Sequence, residues 1–207
     1  MGRGPLAGPV TAAVCAIPHG ISVQGVGDSK QLTDLQRRNT AKIIRSDPRI
    51  TFALGWVSAQ EIDEHNIHQA SLMAMARAIE ALQPPPDILL IDGRFTPHHC
   101  HSFSFAFPHK CCYALVQGDR RSQAIAAASI LAKVARDDYM LRLHESWPEY
   151  GFAAHKGYPT KHHLAVLTRC GPCPEHRRTF QPLRAWVAGD SGPREGVAVE
   201  SPGRLAR

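Results

Sequence analysis

The chain has 207 residues, 43% hydrophobic and 20% charged, which suits one globular domain with a sizeable core. Its net charge of +6, from 24 Lys+Arg against 18 Asp+Glu, fits a nucleic-acid partner but equally describes an ordinary basic soluble protein. No apolar run approaches the ~20 residues of a membrane helix, and six cysteines are too few for a disulfide scaffold of this length, so a cytoplasmic chain with reduced thiols is expected.

In chain order, the apolar start is interrupted by Pro5, Gly8 and Pro9, and its alternating small and β-branched residues favour a strand over a secretory signal. Residues 8–17, GPVTAAVCAI, form that strand. The turn-rich HGISVQGVGDSK follows. Thr33, with Gln36 three residues on, makes a capping box that opens a helix running to about Arg45, before Pro48. Residues 50–57, ITFALGWV, read as a second strand. Ser58 and Glu61 form another capping box, and Leu72, Met75, Ile79 and Leu82 recur at helical spacing on a core face that ends at Pro84. The runs ILLI (88–91) and YALV (113–116) are continuously apolar, as in strands buried on both faces.

The longest helix is expected from Ser122 to about Trp147, where AIAAASILAKVA allows close approach to a sheet. A short helix covers Thr160 to Arg169. The domain is read as 1–187, and 188–207 as a disordered tail rich in Gly, Pro, Ser and mixed charge. Strands alternating with helices predict a mixed α/β sheet.

Asp92 follows ILLI directly, and Asp119 follows YALV after Gln117 and Gly118. Each acid lies just past a strand end, where open α/β sheets place ligands. If the strands run parallel, both carboxylates reach one sheet edge and offer hard oxygen donors for Mg²⁺ or Mn²⁺. Equally, each Asp is an ordinary turn former beside a glycine. The loops GDSK, HKGYPT and HRRTF hold further cations and donors. Lys30, Lys156, Arg177 and Arg178 are the candidate phosphate contacts, and Tyr158 a residue to stack on sugar or base.

Taken together, GRGPLAGPV, GDSKQL, EIDEHNI, LLIDG, QGD, AAASILAKVARD, YGFAAHKGYPT and HRRTF, in that order, resemble ribonuclease HII over about residues 2 to 183. The resemblance implies a ribonuclease H-like α/β fold with a five-stranded mixed central sheet flanked by helices and a helical C-terminal part. It also implies cytoplasmic, monomeric endonucleases of DNA replication and repair, which cut the RNA strand of RNA–DNA hybrids and beside single ribonucleotides in duplex DNA. Four carboxylates would hold two divalent ions, Mn²⁺ or Mg²⁺. Asp92 and Asp119 match the last two. The first two are an adjacent Asp-Glu pair at the end of the family's first strand, one small residue before the Gly-Arg-Gly loop, and Met1 occupies that one-residue position.

A start assigned too late is therefore the expectation, with a first strand and two carboxylates missing and the 207-residue chain poorly folded and nearly inactive. The alternative is a non-catalytic nucleic-acid-binding remnant. The resemblance further implies that backbone groups of Gly2, Arg3 and Gly4 read a ribose 2′-hydroxyl and that Tyr158 packs on the junction deoxyribose. Asp137, four residues after Lys133, is read as an ion-pair partner.

Two other signals carry less weight. HHCHSFSFAFPHKCC (98–112) offers possible zinc ligands at no standard spacing and is read as a loop insertion. GVGDSK lacks the spacing of a phosphate-binding P-loop.

Overall fold

A computed structural model of the chain describes residues 1–26 and 32–187. The GDSK loop, including Lys30, and the tail from 188 lie outside the described residues.

Strand β1 (Val10–Ala16) pairs antiparallel with β2 (Thr51–Val57), from Val10 opposite Val57 to Ala16 opposite Thr51. Between them runs α1 (Asp34–Ser46). Its capping box forms as expected: the Gln36 N–H donates to the Thr33 hydroxyl at 3.3 Å, and the Thr33 N–H to Gln36 Oε1 at 2.9 Å. It stops where Asp47 turns extended ahead of Pro48.

Helix α2 (Ala59–Glu80) carries the second box at Ser58 and Glu61. The sequence reading missed a break inside it. Asn66 sits at φ 64, ψ 161, and its Oδ1 accepts the N–H groups of His68 and Gln69 at 2.9 and 3.1 Å. The side chain re-caps the helix, so the break leaves few orphan donors. The long part of α2 lies against β2 with Gly55 at the contact. A Cβ there would stand 2.0 Å from the Ala74 carbonyl oxygen.

Strands β3 (Leu89–Asp92) and β4 (Cys112–Leu115) pair in parallel, with Leu89 opposite Cys112 and Asp92 opposite Leu115. The expectation that these runs are buried on both faces is corrected. Leu89, Ile91 and Cys112 are buried, but Ile88 is 60% and Tyr113 53% exposed, and Leu90 and Val116 are also open. Among the described residues one face of this pair is covered, by Met75 and Ile79 of α2 and by Phe105 and Phe107.

The short α3 (Gly118–Arg121) leads into α4 (Gln123–Ser146), capped by Ser122. Ala127, Ile130, Leu131 and Val134 of α4 pack on Cys15 of β1 and Ile44 of α1. A C-terminal cluster gathers α5 (Phe152–His155), α6 (Lys161–Cys170) and α7 (Leu183–Val187). There Phe152, Leu167 and Leu183 surround Leu6, Met140 and Tyr150.

Among the described residues the four strands form two separate pairs, where one five-stranded sheet was expected. The edges of β1 and β3 that have no strand partner face each other across a cavity of about 490 Å³, lined also by Met75 and Ile79 of α2 and by Ala128 and Ala132 of α4. One pair is antiparallel and the other parallel, so the expected single mixed sheet is replaced by two sheets on either side of this slot.

Candidate active site

Asp92 is the last residue of β3, and Asp119 the second residue of α3. The parallel pairing brings both acids to the same end of the strand pair. The connection is made tight by Gln117, whose left-handed φ of 55 turns the chain. The Gly118 N–H then donates to Asp92 Oδ1 at 2.9 Å. A Cβ on Gly118 would come within 2.6 Å of Ile125 and 3.3 Å of Asp92 Oδ1, so this glycine permits the close approach. Both carboxylates line the slot cavity, with Asp92 exposed at its rim and Asp119 half-buried.

Met1 lines the same cavity and takes a ladder bond from β1, the Thr11 N–H donating to its carbonyl at 3.0 Å. Next along the chain, the Gly2–Pro9 loop is clamped from below by two buried arginines. Arg177 gives Nε to the Gly8 carbonyl at 3.0 Å, Nη2 to Gly2 at 2.7 Å and Nη1 to Arg3 at 3.2 Å. Arg136 gives Nε to Pro9 at 3.0 Å and Nη2 to Ala7 at 3.1 Å. Arg3 itself is exposed. Tyr158 is half-exposed, and its ring lies 3.7 Å from where a Cβ on Gly4 would stand.

The assignment of Arg177 as a phosphate contact is therefore corrected. The side chain is fully buried, and its donors end on main-chain carbonyls. Lys156 sits in a left-handed turn with its ammonium donating to the Ala153 carbonyl, and Arg178 is exposed. Lys133 pairs with Asp137 at 2.6 Å.

Sequence reasoning missed Arg136 and Asp63. Arg136 falls on the stripe Ala132, Arg136, Met140 and Leu143, whose helical spacing marks the buried face of α4, and that was the available signal. Asp63, within EIDEHN, accepts the N–H groups of Arg178 and Thr179 at 2.8 and 2.9 Å and so fixes the HRRTF loop. Nothing local in the sequence links positions 115 residues apart.

Asp92 and Asp119 offer the oxygen donors a hard divalent cation takes. They are part of a coordination set only, since among the described residues no three His, Cys, Asp or Glu side chains gather as a metal site. In the 98–112 segment His98 Nε2 meets the Phe107 carbonyl at 2.7 Å and His99 Nδ1 lies near Thr96.

The family model described as ribonuclease HII matches residues 1–183. The chain belongs to the ribonuclease HII family. Among curated relatives, ribonuclease HII of Chlamydia pneumoniae is 46% identical over 187 residues, 90% of this chain and 83% of the relative. That of Nitrosococcus oceani is 49% identical over 189 residues, covering 90% and 88%. Among solved structures, ribonuclease H2 of Pyrococcus horikoshii superposes with a TM-score of 0.69 at 26% identity, covering 89% of this chain and 92% of that one. The fold is accordingly ribonuclease H-like, and with the family comes the broad activity of a ribonuclease H endonuclease, a hydrolase acting on RNA–DNA substrates. Among the described residues no helix is long and apolar enough to cross a membrane.

Proposed function

We propose that this chain supplies half of the metal site and the ribose-reading loop of an endonuclease that cuts the RNA strand of RNA–DNA hybrids and the backbone beside single ribonucleotides in duplex DNA. The observation that carries the reading is the shared cavity: Asp92 and Asp119 open onto it, and Met1, next to the Gly2–Gly4 loop, lines it. Asp92 and Asp119 would hold part of a divalent ion set, Mn²⁺ or Mg²⁺, which when bound would supply water activation and charge stabilisation for phosphodiester hydrolysis. The chain's own part is to orient. Asp92 is steadied by the Gly118 N–H. Among the described residues the Gly2, Arg3 and Gly4 N–H groups have no protein acceptor; Gly2 is buried, and the exposed Arg3 and Gly4 are the ones available to a ribose and its phosphate. The exposed Tyr158 ring beside them suits packing on the neighbouring deoxyribose, and Arg178 is the exposed cation for phosphate.

Two acids bind a divalent ion weakly, because few negative ligands offset its desolvation. The edges of β1 and β3 that have no strand partner among the described residues suit an extended segment between them. A strand there carrying two more carboxylates would complete the set, and without it residues 1–207 are expected to bind substrate but cut poorly.

The test is cleavage of a DNA duplex with one embedded ribonucleotide, with Mn²⁺ or Mg²⁺ and with a chelator. Residues 1–207 should leave it nearly intact. A version carrying an apolar strand that ends in Asp-Glu ahead of Met1 should cut beside the ribonucleotide, and Asp92→Asn in that version should lower the rate by at least about a hundredfold. Cleavage that persists in chelator, or an Asp92→Asn protein with full rate, refutes the mechanism. Binding without cleavage in both versions would favour a non-catalytic remnant.

A further inference from the structure

Arg136 and Arg177 are among the most enclosed side chains of the molecule, 2% and 0% exposed. A buried guanidinium ordinarily meets a carboxylate. Here, among the described residues, neither has one, and every acceptor is a main-chain carbonyl. Arg177 reaches Gly2, Arg3 and Gly8, with Nη2 also 2.7 Å from Gly8 O. Arg136 reaches Ala7, Pro9 and, at 3.1 Å, Lys156, which stands two residues before Tyr158. Burial and the adjacent Arg136 pull the Arg177 guanidinium down to about 9, still charged at neutral pH.

The loop is thus polarised. Its carbonyls turn inward onto two cations, while the amides of Gly2, Arg3 and Gly4 have no acceptor among the described residues. The fit leaves no slack: a Cβ on Gly2 would stand 2.1 Å from Arg136 Nε, and one on Gly8 2.4 Å from Met140 Sδ. The hydrogen bonds of both buried cations end on dipoles, and Asp63 and Asp137 act on them only through space, an arrangement that favours an anion at the loop's outer face.

We infer that Arg136 and Arg177 are positioning residues that set the Gly2–Gly4 loop, with its exposed Arg3 and Gly4 amides, toward a ribonucleotide, and that the substrate's phosphodiester adds counter-charge to two guanidiniums that hydrogen-bond to no carboxylate. The inference rests on the ribose-reading role proposed above for that loop. Neither arginine touches substrate; each acts through the loop backbone.

The test compares the affinity of the 207-residue chain for a DNA duplex with one ribonucleotide and for the same duplex in DNA alone, in metal-free buffer. Arg177→Lys keeps a charge but replaces a planar fork by a single point donor. Its preference for the ribonucleotide duplex should fall about tenfold, while affinity for the all-DNA duplex stays within about twofold. Arg136→Lys should shift the same ratio in the same direction, and it is the variant to read if Arg177→Lys does not fold. A preference retained in the folded variants overturns the inference. So does an equal weakening on both duplexes, which is what a merely structural loss produces. A parent chain with no preference at all refutes the loop's ribose-reading role itself, and this inference with it.

Discussion

His163 and His176 form a chain of hydrogen bonds whose direction is set by its ends. The Cys173 N–H donates to His176 Nδ1 at 3.0 Å, and His163 Nδ1–H donates to the Tyr158 carbonyl at 2.9 Å. That leaves His176 Nε2–H to donate to His163 Nε2 at 3.0 Å, with both rings neutral. Burial drives His163 down to about 4 and His176 to about 3, the neighbouring His163 adding to the latter. In the unfolded chain both would protonate near 6.5. Between that value and the folded ones the unfolded state binds more protons, so stability is full above 6.5 and is lost as pH falls toward 4. The melting temperature should therefore drop between pH 7 and 5, above the carboxylate range, and His163→Asn should flatten that slope. A level profile in the parent chain would contradict the neutral pair. Because the chain of bonds ends on Tyr158, it also fixes a residue of the candidate site. No spacing in the sequence brings residues 158, 163 and 176 together; burial does. Gly2, Gly4, Asp92 and Tyr158, by contrast, could be picked out from short motifs, although what holds Gly2 and Tyr158 in place is distant in the chain.

At the scale of elements, both capping boxes and the ends of α1, α4 and α6 follow from local chemistry, and the sequence reading found them. The break at Asn66 was not legible, since an amide side chain re-capping its own helix competes with continuous helix at every Asn. The closeness of α2 to β2 was not legible either. Gly55 inside a strand marks it only in retrospect, when Ala74 and Ala78 are seen against it. Gly55→Ala has to push the helix off the strand, because the obstacle is backbone and cannot rotate away. Urea unfolding should show a loss of about 3 kcal/mol or more. A change under about 0.5 kcal/mol would mean that the two elements do not pack this closely. For ILLI and YALV, an apolar run was read as doubly buried, yet Leu90 and Tyr113 stand open. Composition records what a strand tolerates on each face, and neighbours decide whether both faces are covered.

The whole molecule is organised by the slot between its strand pairs. The β1–β2 pair is packed against α2 and α4, whereas the outer face of β3–β4 is largely open. Amides of 89–92 and 112–115 should therefore exchange with solvent faster than those of 10–16 and 51–57 in hydrogen-exchange mass spectrometry. Equal protection of the two pairs would show that they open as one unit.

The sequence alone determined the four strands, the helices α1, α2, α4 and α6 with the caps that open them, the family and the two acids at or just past strand ends, because these rest on contacts within a few residues or on motifs read in a line. Tertiary structure decided that Arg177 lies under the loop and not on a phosphate, that Arg136 joins it, and that the sheet divides at a cavity where both acids open. Those facts depend on which distant segments share a buried volume. The free energy of a charge or a strand edge is set by that enclosure, which no stretch of neighbouring residues encodes.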